Sequence, residues 1–253
     1  MKFWVLCALL VSLACGLEAY QYHAFGLYTP SVLEGWQGEF NVGHRFYGEI
    51  LEEPIDNFFG MGAGTNANLS FRQHLPLDLE AKLGHTSSLN QYELGAAWKI
   101  PFEMFTLKSQ ADINLSWLDR PASNERTTDI GAWISAQNEP LFGRLVITAN
   151  LGYNTLYERL GCGLGINVRL LDRLSLLGEF YPLLDPEKGS PEALALMGEY
   201  PAFAAGIKLD THNHNFLLSV GNAQHFNPAR LALGAYSRSD LHFGFNIKRR
   251  LSF

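Results

Sequence analysis

Runs of about ten residues in which apolar and polar side chains alternate most limit what this chain can fold into. From Leu107 onward, Leu107, Ser109, Ala111, Ile113, Leu115 and Trp117 form one set and Lys108, Gln110, Asp112, Asn114 and Ser116 the other. Only a strand places such sets on opposite faces, because successive Cβ atoms point to opposite sides of a sheet. The pattern returns with Leu145, Ile147, Ala149, Leu151 and Tyr153 against Thr148, Asn150, Gly152 and Asn154. Around Cys162 the opposite face is Gly161, Gly163, Gly165, Asn167 and Arg169. Read throughout, it predicts strands near 36–50, 64–75, 77–86, 89–100, 105–117, 127–137, 143–154, 159–169, 173–182, 201–210, 213–222 and 240–253. The 127–137 and 173–182 runs alternate poorly.

Strands in soluble domains run to roughly five or six residues, whereas a tilted crossing of a bilayer takes about 9–11. Charged residues make up only 17% of the chain, against about 25% in soluble globular domains. After the first twenty residues no segment approaches the ~18 consecutive apolar residues of a transmembrane helix. The expected fold is therefore all-β, an antiparallel up-and-down transmembrane β-barrel of about 12 strands, with about 10 to 14 as the range.

The connections sort by length. Those with even ordinal number are short: Pro76, 101–104, 138–142, 170–172 and 211–212. The long ones, 51–63, 118–126, 183–200 and 223–239, are all odd, although the odd connections 87–88 and 155–158 are short. Tight turns at one end and long loops at the other is the asymmetry of outer-membrane barrels, whose tight turns face the periplasm. An even strand count then places both termini in the periplasm.

Lys2, the small and apolar stretch from Phe3 to Leu17, and Ala19 describe a secretory signal peptide of residues 1–19. Ala14-Cys15-Gly16 offers a second cleavage site, and Ser12 is a poor lipobox residue three before Cys15. Residues 20–35 read as an N-terminal extension and 36–253 as one barrel domain. Export removes Cys7 and Cys15, leaving Cys162 without a disulfide partner. Leu160, Leu164 and Ile166 share its face, which predicts an inert, lipid-facing thiol.

Phe243, Phe245, Ile247, Leu251 and the terminal Phe253 recur at period two, with Arg249 as the one departure. Such an ending resembles the C-terminal assembly signal of outer-membrane barrels, which implies barrel-assembly machinery and outer-membrane lipids as partners. Other short pieces bracket nearly the whole mature chain. They are His44-Arg45-Phe46, Phe59-Gly60-Met61, Asn66-Ala67-Asn68-Leu69, His214-Asn215-Phe216 through Asn222-Ala223-Gln224, and His242-Phe243-Gly244-Phe245-Asn246-Ile247. Through them the chain resembles an uncharacterised family of bacterial outer-membrane β-barrel proteins, described only as a domain of unknown function. The resemblance implies a barrel in the outer membrane of a Gram-negative cell and brings no catalytic residues.

The polar faces carry the candidate function. They gather Arg45, Arg72, Lys82, Lys99, Lys108, Arg169, Lys208, Lys248 and Arg250 with Glu39, Glu80, Glu93, Asp112, Glu179 and Asp210, nine cations against six anions. A mildly basic lumen inside a protein of net charge −6 predicts a narrow porin-like channel or binding barrel for small anionic solutes. The alternative is a structural or surface-interaction barrel with a filled lumen and working outer loops. A lipid hydrolase comes third: no Gly-x-Ser-x-Gly occurs, and an enzyme is not expected. The acidic balance argues against nucleic acid. His212 and His214 could ligate a metal, but only Asp210 accompanies them, so neither metal nor other cofactor is expected. Gly161, Gly163 and Gly165 precede no helix, so they read as room inside the barrel, not as a phosphate loop.

Overall fold

The computed structural model describes residues 24–30, 33–100, 107–120 and 123–253. It is a closed twelve-stranded barrel with every neighbouring pair antiparallel. The strands are β1 (Gln37–Glu49), β2 (Thr65–Leu75), β3 (Leu79–Thr86), β4 (Gln91–Ile100), β5 (Leu107–Arg120), β6 (Ser123–Asn138), β7 (Leu145–Asn154), β8 (Arg159–Leu171), β9 (Leu174–Tyr181), β10 (Ala202–Asp210), β11 (His214–Gly221) and β12 (His242–Ser252). The predicted signal peptide, residues 20–23 of the extension and residues 31–32, 101–106 and 121–122 lie outside the described residues.

Each strand pairs with its sequence neighbours, and β1 closes on β12 with Gln37 opposite Ser252 and Arg45 opposite Gly244. Closure removes the sheet edge, so the wall presents no row of unpaired amides to lipid. On the outer face of that seam His44 stacks on Phe245 at 4.8 Å and Phe46 on Phe243 at 6.0 Å. Ile247 shares their face, Leu251 lies near the end of β12, and Phe253 stands beyond it, exposed. Leu83, Ile113, Ile134, Leu151 and Leu164 point outward and are each more than half exposed. An apolar belt of that extent is a liability in water and a requirement in hydrocarbon.

The strands expected from alternation are all present, and the largest departure is at β5 and β6. A long loop was expected over 118–126. Instead the ladder runs on, with Asp119 opposite Arg126 and an ion pair of 2.9 Å between them, so that only 121–122 connect the strands. Cross-strand charge pairing and the β-branched Thr127 and Thr128 favour prolonging it. Two short helices sit in the long loops. α1 (Pro191–Leu196) is capped by Ser190 and α2 (Pro228–Leu231) by Asn227, each side chain accepting a first-turn amide with Pro at the helix start.

The lumen has its own core. Phe25 packs with Leu177 and Leu217, and Ala24 and Leu27 pack with Tyr181, Ala202 and Leu231. This explains the weak alternation of two strands: Trp133 of β6 and Leu177 of β9 face inward because apolar partners wait there.

Candidate functional site: a plugged and charged lumen

Residues 24–30 form a strap that descends through the lumen from the long-loop end, and Leu33 continues it at the tight-turn end. Glu179 of β9 accepts the amides of Phe25 and Gly26, the latter at 3.0 Å to Oε2. Arg45 of β1 donates to the Phe25 carbonyl at 3.3 Å. At mid-barrel Asn150 of β7 accepts from Tyr28 N and donates to Tyr28 O, both at 2.8 Å. Asn114 of β5 donates to the Tyr28 hydroxyl at 2.8 Å, and Trp133 meets its ring edge-on with centroids 6.2 Å apart. At the tight-turn end Lys99 donates to the buried Leu33 carbonyl at 2.7 Å. The glycine row of β8 makes the room. A Cβ on Gly163 would lie 2.6 Å from Leu27 Cδ2, and one on Gly161 would lie 2.7 Å from Ala232 Cβ.

The last long loop, 222–241, caps the other end. Its Phe226 ring lies 4.5 Å beneath the Arg45 guanidinium, Asn227 reaches Gln91 at 3.4 Å, and α2 packs on β7 and β8. The loop 182–201 is held beside it by Arg159, which donates to the Leu184 and Lys188 carbonyls. Asp129 pins the β7–β8 turn by accepting from Asn154 at 2.6 Å and from Leu156 N at 2.9 Å.

Burial and the nearby Arg230 cation hold the imidazole of the half-buried His225 well below the ordinary histidine range. The docked cap therefore keeps His225 neutral, whereas a released cap protonates it near pH ~6.5. Protonation of His225 therefore opposes docking: the penalty is absent above about pH 6.5 and grows as the pH falls below it. Limited proteolysis of the 222–241 loop should accordingly be faster at about pH 5.5 than at about pH 7.5, and His225→Gln should remove most of that difference.

Beside the strap a cavity of about 160 Å³ remains against the wall of β12 and β1–β4. Arg72, Lys82 and Lys248 line it with Glu39 and Glu93, among the amides Asn41, Asn68, Gln91 and Asn246. Arg72 Nε donates to Glu39 at 3.0 Å, and its Nη1 stands 3.8 Å from Glu80. Lys82 pairs with Asp112 and holds its ammonium 4.7 Å from the Tyr28 ring centroid.

The predicted charged row thus divides into three sets. Arg45, Lys99 and Glu179 grip the strap, while Arg72, Lys82, Lys248, Glu39 and Glu93 line the cavity. The remainder lies toward the tight-turn end. Lys208 is buried with Asp210 at 2.8 Å, Lys108 pairs with Glu139 at 3.2 Å on the exposed rim, Arg250 donates to the His212 carbonyl at 3.0 Å, and Arg169 is half-buried. Sequence reasoning assigned no role to residues 24–30 or to Asn114, Asn150, Trp133 and Asp129. The inward-turned Trp133 and Leu177, which spoil the alternation, were the one available signal.

The remaining candidates stand apart from the lumen. Cys162 is half-buried between the exposed Leu160 and Leu164 on the outer face. His214 stacks on Phe216 at 5.9 Å, and among the described residues no three His, Cys, Asp or Glu side chains converge as a metal site.

A closed antiparallel wall, an apolar outer belt and a lumen filled from within define a membrane β-barrel of plugged form. Residues 144–251 match the sequence model of a family described as a membrane bound beta barrel domain (DUF5777). Over that part of the chain the resemblance to an uncharacterised barrel family is borne out. The pieces from His214 and His242 onward fall inside the match, and those at His44, Phe59 and Asn66 fall outside it. No curated protein matches the chain. The fold is similar to that of a KdgM porin solved in complex with disordered oligogalacturonate, at 11% identity and a TM-score of 0.51, covering 85% of this chain and 99% of that one. It is similar to the NanC porin at 8% identity and a TM-score of 0.51, covering 85% and 100%. The outer membrane protein Omp33 of Acinetobacter baumannii follows at 10% identity and a TM-score of 0.48, covering 85% and 98%.

Proposed function

We propose that the chain is a non-enzymatic, porin-like barrel of the bacterial outer membrane that holds and passes small, preferentially anionic solutes, with the strap controlling the passage. The observation that carries this reading is the cavity beside the strap, which Arg72, Lys82 and Lys248 line with Glu39 and Glu93 among neutral amides. Cations with hydrogen-bonding amides in a narrow lumen suit a hydroxylated anion, since lining charges set selectivity. One porin of similar fold was solved with oligogalacturonate, and an acidic solute of that kind is the first to try. The tight turns and both termini are assigned to the periplasm, with outer-membrane lipids and the assembly machinery as partners, the latter engaged through Phe243, Phe245, Ile247, Leu251 and Phe253.

The test is single-channel recording of the mature chain from Tyr20 in a salt gradient. Rare openings with an anion-selective reversal potential are expected. The pair Lys82→Gln and Lys248→Gln should move that potential toward zero. Asp112 keeps a donor in this variant, because Gln110 Nε2 lies 3.1 Å from it. A potential unchanged by the pair would reject the cavity as the passage.

A second reading, a structural barrel whose outer loops do the work, is favoured by the buried strap and cap. It predicts a folded barrel that stays silent even when the strap is released.

A further inference from the structure

We propose that the strap's track is a peptide-binding site: the lumen wall recognises an extended chain through its main-chain groups, residues 24–30 being the resident occupant. A peptide of the same Phe-Gly-Leu-Tyr pattern binds there in trans once the strap withdraws. This rests on the strap being displaceable and not on the passage of any solute.

Among the described residues the strap makes no strand ladder with the barrel, and side chains of the wall meet its backbone. Glu179 takes two consecutive N–H groups and Arg45 gives to the carbonyl between them. Asn150 closes a reciprocal pair with one residue, accepting from Tyr28 N and donating to Tyr28 O, as an opposed residue of a neighbouring antiparallel strand would. These contacts read a peptide group and are indifferent to the side chain it carries. Three further features read side chains. Phe25 enters an apolar pocket of Leu177 and Leu217, Leu27 lies over the bare Gly163 and Gly165, and the Tyr28 hydroxyl accepts from Asn114.

An emptied track exposes two carboxamides and a carboxylate that keeps only the Tyr181 hydroxyl of its three donors, beside an apolar pocket. Water or a sugar can meet the polar groups, but neither fills the Phe25 pocket. A peptide supplies both in the order the wall presents them, much as an extended peptide is read when it adds to a sheet, main chain for affinity and pockets for specificity.

The experiment uses the full-length chain with Phe25→Ser and Tyr28→Ser, which frees the strap and leaves the wall untouched; heat-dependent gel mobility verifies that it is folded. A fluorescent peptide, Ala-Phe-Gly-Leu-Tyr-Thr-Pro, is titrated in detergent micelles and followed by anisotropy. It should bind at least about tenfold more tightly than a scrambled peptide. The unaltered chain should take up none, since its own strap competes at an effective concentration of about millimolar. Should that variant not fold, a protease site is placed at the exposed 34–36 segment, where Trp36 is 63% exposed, and cut after folding. The labelled peptide should then exchange into the cut barrel and not the uncut one. Equal binding of the scrambled peptide, or no exchange after cutting, overturns the proposal. Because binding is read without current, a barrel that takes the peptide yet never conducts supports the track and rejects solute passage. One that conducts on strap release and takes no peptide does the reverse.

Discussion

Gly163→Val is expected to convert a mostly closed barrel into a conducting one. A Cβ at this position would lie 2.6 Å from Leu27 Cδ2 and 2.7 Å from Tyr181 Cε1, and the Cγ atoms of valine reach further into the strap. β8 itself tolerates the change, because valine suits an extended, half-buried strand. The cheapest relief is for Leu27 to leave, since among the described residues the strap is tethered to the wall by side-chain bonds, whereas β8 is laddered on both sides. The docked strap then either forfeits the burial of Leu27 or bears its overpacking, at a cost of up to about 3 kcal/mol. That corresponds to a shift on the order of a hundredfold in the ratio of released to docked strap. Bilayer recordings should change from rare openings to long ones. Gly84→Val is the control, because a Cβ there meets Ser70 Cβ at 3.6 Å and Glu93 Cβ at 3.7 Å in the cavity wall. It should narrow the passage without freeing the strap. A Gly163→Val barrel that is folded and silent, with residues 24–30 accessible to protease, would show that the lumen is no passage and leave the structural reading standing.

Glu179→Ala is expected to release the strap without unfolding the barrel. The carboxylate is 5% exposed and accepts from Phe25 N, Gly26 N and the Tyr181 hydroxyl, the last at 3.0 Å. Each donor left buried without an acceptor costs about 1–3 kcal/mol. Two of them belong to the strap and regain water by leaving the lumen. The loss to the whole protein is therefore capped at the docking free energy of the strap, and the wall ladders are untouched. Heat-dependent gel mobility should persist, while chymotryptic cleavage at Phe25 and Tyr28 should accelerate on the order of a hundredfold. Glu179→Gln should be milder, because a carboxamide oxygen still accepts one amide. Loss of the folded band, or unchanged protection of Phe25, would contradict this account of Glu179.

In β7 the polar set Thr148, Asn150, Gly152 and Asn154 is recognisable by period alone and is the set that faces the lumen. Alternation of this kind is a local property, written at every second residue, and it carries strand number and facing with it. The β5–β6 hairpin was misjudged because Asp119 and Arg126 favour pairing only once they stand opposite each other. The glycines of β8 were legible as space but not as space for Leu27.

The chain alone therefore determined a wall: its strands and, for most of them, which side faces inward. Only the tertiary structure decided that this wall closes on a plug. Residues 24–30 have no periodicity to announce a role, and their partners Arg45, Asn150 and Glu179 are far off in sequence, Glu179 standing 154 positions from Phe25. Hydrogen bonds and pockets between such distant groups exist only when barrel closure brings them within reach, and no local pattern encodes them.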